Sequence, residues 1–200
     1  MRVVFLQSIF LLYSFFALAQ VIQPEKVKCK NYLTLQVGYP IPFSGSTFNR
    51  LYDGVFDTRL GYLRTKNNIS FGSDIGYCNF ALSHQTVDFT GKMTVLSPGL
   101  IWGYKFISCK KIMIVALLKC GYDFIFFSGN DVEGNVKTPF HEGGISLLPT
   151  MSVKYSLNKN NSLGFCLSYE IIFQHFGDNS VYEESTIRIM DFGIKIIHQL

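Results

Sequence analysis

From Lys111 to Phe127 the chain runs KIMIVALLKCGYDFIFF, and every second residue from Ile112 is uncharged: Ile112, Ile114, Ala116, Leu118, Cys120, Tyr122, Phe124 and Phe126. The intervening row, Met113, Val115, Leu117, Lys119, Gly121, Asp123 and Ile125, carries both charges and the glycine. A period of two places alternate side chains on opposite faces of a strand. The same alternation recurs along the chain between turn-rich gaps, and no heptad or amphipathic helix follows Gln20. Eight strands are expected, at 31–39, 52–64, 69–82, 92–106, 112–126, 145–157, 162–173 and 185–200.

The gaps between them alternate long, short, long, short, long, short, long. TKNN, ISCKK and NKNN are the short ones, and FSGNDVEGNVKTPFHEGG is the longest. An up-and-down antiparallel meander whose two ends face different surroundings has this rhythm, as membrane barrels do with tight turns at one end and longer loops at the other. An even strand number leaves both termini at the short-turn end. Tilted strands of about ten residues also match the hydrocarbon thickness of a bilayer.

Two rows emerge when the parity is followed through all eight segments. One holds Leu33, Leu35, Val37, Leu60, Tyr62, Phe71, Leu100, Trp102, Met151, Phe165, Phe192 and their neighbours, with charge only near strand ends at Arg64, Arg188 and His198. The other holds Asp57, Arg59, Asp74, Lys105, Lys119, Asp123, Lys154, Glu170, Asp191 and Lys195, five acids against five bases, together with Thr34, Gln36, Ser97 and most strand glycines. A soluble lipocalin-like barrel carrying an apolar ligand would turn the apolar row inward. A membrane barrel turns it outward. Aromatics gathered near strand ends, the sign balance of the charged row and a charged content of only 16% favour the membrane. The fold class is then all-β, an eight-stranded up-and-down antiparallel transmembrane barrel with lipid outside and a polar network inside. Eight strands leave a lumen that side chains can fill, so a salt-bridged plug is preferred over a conduction path or proton relay.

Composition refines this picture. Residues 1–19 have the form of a cleaved signal peptide: Arg2, an apolar stretch from Val3 to Phe16, then Ala17-Leu18-Ala19 before Gln20. Residues 20–30 would be a short periplasmic lead and 31–200 the barrel domain. Removing Arg2 takes the formal charge from +4 to +3, with no basic run suited to nucleic acid. The five cysteines, Cys29, Cys78, Cys109, Cys120 and Cys166, show no metal-binding spacing, and their odd number leaves at least one thiol free. No cofactor or metal is expected. Pro98 and Pro149 fall inside strands and are read as bulge or edge-like positions.

On these features the sequence resembles the small eight-stranded outer-membrane barrels of Gram-negative bacteria, the broad class of OmpA-, OmpX- and OmpW-type barrels. The likeness is architectural and covers the whole mature chain. The last segment, TIRIMDFGIKIIHQL, resembles the C-terminal sorting strand read by the barrel-assembly machinery, although it ends in Leu200 where an aromatic is usual. Gln20 after the cleavage site is similar to many exported proteins of Bacteroidetes. The resemblance implies residence in the outer membrane as a monomer. The partners it implies are membrane lipid and lipopolysaccharide, periplasmic chaperones during biogenesis, and extracellular molecules met by loops 40–51, 83–91, 127–144 and 174–184.

One enzymatic alternative follows from the same resemblance. Lipid A deacylases place a catalytic His and Ser, spaced H-x-S, on an outward barrel face with a Glu further on. Here the stretch is QHFGDNSVYEES. His175 would be the base, but Gly177 stands where the serine is required, Ser180 is out of register, and Glu183 and Glu184 follow too closely. A serine nucleophile needs its base within hydrogen-bond reach. His175 is therefore expected to be a polar residue at the strand–loop join, and no catalytic residue is assigned.

Overall fold

The computed structural model describes residues 29–43, 52–82, 89–109, 111–131, 140–174 and 186–200. They form eight strands, β1 (Cys29–Pro42), β2 (Tyr52–Lys66), β3 (Ile69–Leu82), β4 (Phe89–Ser108), β5 (Ile112–Asp131), β6 (Phe140–Ser156), β7 (Asn161–Gln174) and β8 (Thr186–Gln199). All neighbours pair antiparallel in sequence order, and β1 pairs with β8 to close the barrel. Closure aligns Leu35 with Ile196 and Gln36 with Lys195, and it removes every sheet edge. Among the described residues no helix is long and apolar enough to cross a membrane; here the spanning elements are strands.

β1 begins at Cys29, inside the segment 20–30 expected to precede the barrel, and β4 to β6 extend beyond their expected long-connection ends. The three short connections join β2–β3, β4–β5 and β6–β7, at the end where β1 starts and β8 finishes. The first is the two-residue turn Asn67-Asn68, with Asn67 at φ 57°, a left-handed conformation that asparagine tolerates. In the third, the Asn158 side-chain oxygen accepts from the backbone N–H of Asn160 and Asn161 at 2.9 and 2.8 Å. The asparagines of TKNN and NKNN are therefore turn-forming residues.

The parity inferred from the pattern sets the faces. Leu60, Leu118, Phe165 and Ile196 are 58%, 44%, 67% and 52% exposed, whereas Gln36, Asp57, Lys119, Asp123 and Glu170 are at most 2% exposed. A water-soluble chain inverts that distribution. The exposed apolar surface is a continuous belt around the barrel, and hydrocarbon is the solvent it suits. Aromatic pairs mark both margins, with Phe71–Trp102 and Tyr104–Phe106 toward the short turns and Phe56–Tyr77 and Tyr122–Phe124 toward the long connections.

Of the bulge and edge-like readings of Pro98 and Pro149, the edge-like one describes them, and they are not bulges. Register shifts fall at Gly54/Phe56 and Lys105/Ile107 instead, and the extra residue turns both Val55 and Phe56, and both Phe106 and Ile107, outward. The prolines sit in unshifted ladders but pair on one side only, Pro98 with Ile75 and Pro149 with Leu118. Pairing on their other sides passes from Leu96 to Gly99 and from Leu147 to Thr150. A residue without an N–H leaves such a gap. Gly121 faces the first gap, where a Cβ would collide with the Pro98 carbonyl oxygen.

Candidate functional site: the lumen

Among the described residues, the inward side chains collect the candidate chemistry, and they are arranged in layers. Mid-lumen, Arg59 on β2 is the hub: its Nε is 2.9 Å from Asp57 Oδ2 and its Nη2 3.0 Å from Glu170 Oε2, so one guanidinium joins β2 to β7 across the bore. The Ser97 hydroxyl donates to Asp123 Oδ1 and lies 3.2 Å from Glu170 Oε1. Ser146 donates to the same Asp123 oxygen at 2.7 Å. The Lys119 ammonium donates to the Ser97 carbonyl at 2.6 Å and hydroxyl at 2.7 Å, and reaches Asp74 at 3.3 Å. Beside this layer Gln36 Nε2 donates to Asp191 Oδ2 at 2.8 Å. Charge-assisted contacts of this length hold buried ions that would otherwise be costly.

The ten charged side chains assigned to the lumen do not pair one to one. Arg59 and Lys119 engage Asp57, Glu170 and Asp74, whereas Asp123 and Asp191 are held by Ser97, Ser146 and Gln36. Lys105, half-buried, and Lys154 and Lys195, both buried, make no ion pair among the described residues. Lys154 and Lys195 lie directly across Gly164 from either side.

The pattern of charges gave no warning of the apolar layers. Toward the long connections, inward-facing Cys78, Phe80, Met93, Val95, Ile125, Ile172, Ile187 and Ile189 form one buried cluster. Toward the short turns, Leu63, Ile101, Val115 and Leu117 form a second, backed by Tyr32 and Met113. The ion layer is capped above and below. The signal was present in the sequence: in YEIIF and TIRIM the inward positions Ile172, Ile187 and Ile189 turn apolar near the strand tops.

The Ser97–Lys119 contact superficially resembles a nucleophile and base. Lys119 is ion-paired and donates to Ser97, the hydroxyl hydrogen is directed at a carboxylate, and Ser97 is 1% exposed. That arrangement orders side chains and offers no substrate access. The five cysteines are all free: Cys29 and Cys109 exposed, Cys78 and Cys166 buried, Cys120 intermediate on the outward row. No group of three potential metal ligands occurs among the described residues. The segment 1–19 expected to be a signal peptide, His175, Gly177, Ser180, Glu183 and Glu184 lie outside the described residues, as does most of the long connections.

No family model matches the sequence, and no curated protein matches it. Among solved structures the barrel is similar to Neisserial surface protein A, with a TM-score of 0.60 at 14% identity over 86% of this chain and 99% of that one. It is also similar to a major outer membrane protein from Thermus thermophilus, with a TM-score of 0.59 at 12% identity over 86% and 99%. A looser match is the outer membrane enzyme PagL, with a TM-score of 0.39 at 12% identity over 84% and 99%; at that distance it says nothing about chemistry here. This chain has the fold of the small eight-stranded outer-membrane β-barrels.

Proposed function

We propose that the protein is a non-enzymatic, monomeric, integral component of the bacterial outer membrane, serving envelope structure or surface interaction through its long connections. The observation that carries this reading is the filled lumen. An ion layer knitted by Arg59, Glu170, Ser97 and Lys119 lies between two apolar clusters. A bore with no continuous polar path conducts poorly and binds no soluble substrate. What remains to act on the surroundings is the outer belt and the connections 40–51, 83–91, 127–144 and 174–184, since loops on a rigid scaffold are where such folds carry interaction.

Planar-bilayer recording of the refolded protein tests closure, and no unitary conductance steps are expected. Mass spectrometry of lipid A from cells with and without the gene tests the absence of chemistry, with identical acyl chains expected. Regular conductance steps would defeat the closed-lumen reading, and a missing acyl chain dependent on His175 would replace it with a hydrolase.

A further inference from the structure

Among the described residues outside the lumen, acids are missing from one end of the barrel, whereas exposed bases stand at both, with Lys92 and Arg188 at the long-connection end. On and beside the three short connections stand Arg64, Lys66, Lys111 and Lys159, all exposed, with exposed Lys30 at the start of β1. No Asp or Glu occurs in 29–42, 60–72, 101–118, 150–165 or 193–200. Among the described residues, the exposed or half-buried acids outside the lumen, Asp53 and Glu142, lie at the opposite end, on the top of β2 and of β6. None of the five basic side chains forms an ion pair among the described residues.

Their direction identifies the partner. Arg64 and Lys66 continue the outward row of Leu60 and Tyr62, and the Lys111 amine sits 5.9 Å from the ring of outward-facing Tyr155. These cations therefore rim the apolar belt, at the depth where headgroup phosphates lie; a ring serving a soluble polyanion would project along the axis instead. Long basic side chains at such a boundary keep their stems on apolar surface and their charges among headgroups. We infer that the short-turn rim is a collar that selects anionic phospholipid headgroups in the periplasmic leaflet. This rests on the membrane-barrel reading and on the short turns being periplasmic.

The chain supplies its own reporter. Trp102 is its one tryptophan and faces outward at 43% exposure. The pairing Arg64–Phe71–Trp102 runs straight across β2, β3 and β4, with the Phe71 and Trp102 rings 5.7 Å apart. Bromine on a lipid acyl chain quenches a tryptophan only at close range, so Trp102 reports which lipid stands beside Arg64. The full mature chain is refolded into phosphatidylcholine vesicles containing equal fractions of brominated phosphatidylglycerol or brominated phosphatidylcholine. At low salt the anionic lipid should be preferred roughly five-fold, the effect of about 1 kcal/mol per basic residue at a charged surface. The preference should fall toward one in R64Q/K66Q and, through screening, at about 1 M salt. Equal quenching in the unaltered chain overturns the proposal, as does a preference that survives R64Q/K66Q. Equal quenching with Arg64-dependent binding of soluble polyphosphate would reassign the rim to a periplasmic polyanion. Heat-modifiable gel mobility separates the two levels: a chain that inserts into neither vesicle refutes the barrel reading itself.

Discussion

Replacing Arg59 by Met removes the one cation between Asp57 and Glu170 while roughly preserving side-chain length. Arg59 is 4% exposed and its two contacts are 2.9 and 3.0 Å. At about 3 Å and an effective dielectric near 20, each contact supplies about 5 kcal/mol of attraction before desolvation is subtracted. In the variant both carboxylates stay buried and repel each other. Breaking one partner out of a buried ion network typically costs about 3–5 kcal/mol, and the variant should lose that much. The triple variant R59M/D57N/E170Q carries no charge at these positions, and the amide that E170Q introduces keeps an acceptor oxygen for Ser97. It should recover at least about half of the loss, because neutralising a complete network is far cheaper than orphaning part of it. Urea titration in lipid vesicles, read as the ratio of folded to unfolded gel mobility, measures both. A loss below about 1 kcal/mol in the single variant, or a triple variant no more stable than the single one, would refute the view that this ion cluster is mutually compensating.

Leu118 faces outward at 44% exposure beside Lys119 at 2%. Leu118→Arg should cost about 2–4 kcal/mol in the same titration, the penalty for a cation on the lipid face near mid-bilayer. Phe80 is fully buried in the upper apolar cluster; Phe80→Ala should cost about 3–5 kcal/mol through the cavity it leaves, measured by the same unfolding midpoint, and should still show no conductance because the ion layer and lower cluster remain. A membrane-impermeant maleimide should modify Cys29 and Cys109 in the folded barrel and leave Cys78 and Cys166 unreacted until urea unfolds it; mass spectrometry of tryptic peptides distinguishes the sites.

The sequence alone determined the strands and their faces. Alternation is a property of neighbouring residues, so Leu118 out and Lys119 in could be read from a short local stretch, and turn chemistry such as Lys66-Asn67-Asn68 is equally local. Strand parity also carried the outward belt from Leu33 to Ile196. The tertiary structure decided which inward residues meet. Arg59 and Glu170 stand 111 positions apart and Gln36 and Asp191 155 apart; they touch only because closure of β1 on β8 fixes the stagger of the whole sheet. The same stagger gathers Phe80, Ile125 and Ile187 into a cap, leaves Lys154 and Lys195 facing each other over Gly164, and places the irregularities at Gly54 and Lys105 rather than at the prolines. A period of two tells a side chain which face it occupies; only the closed ring tells it which neighbour it finds there.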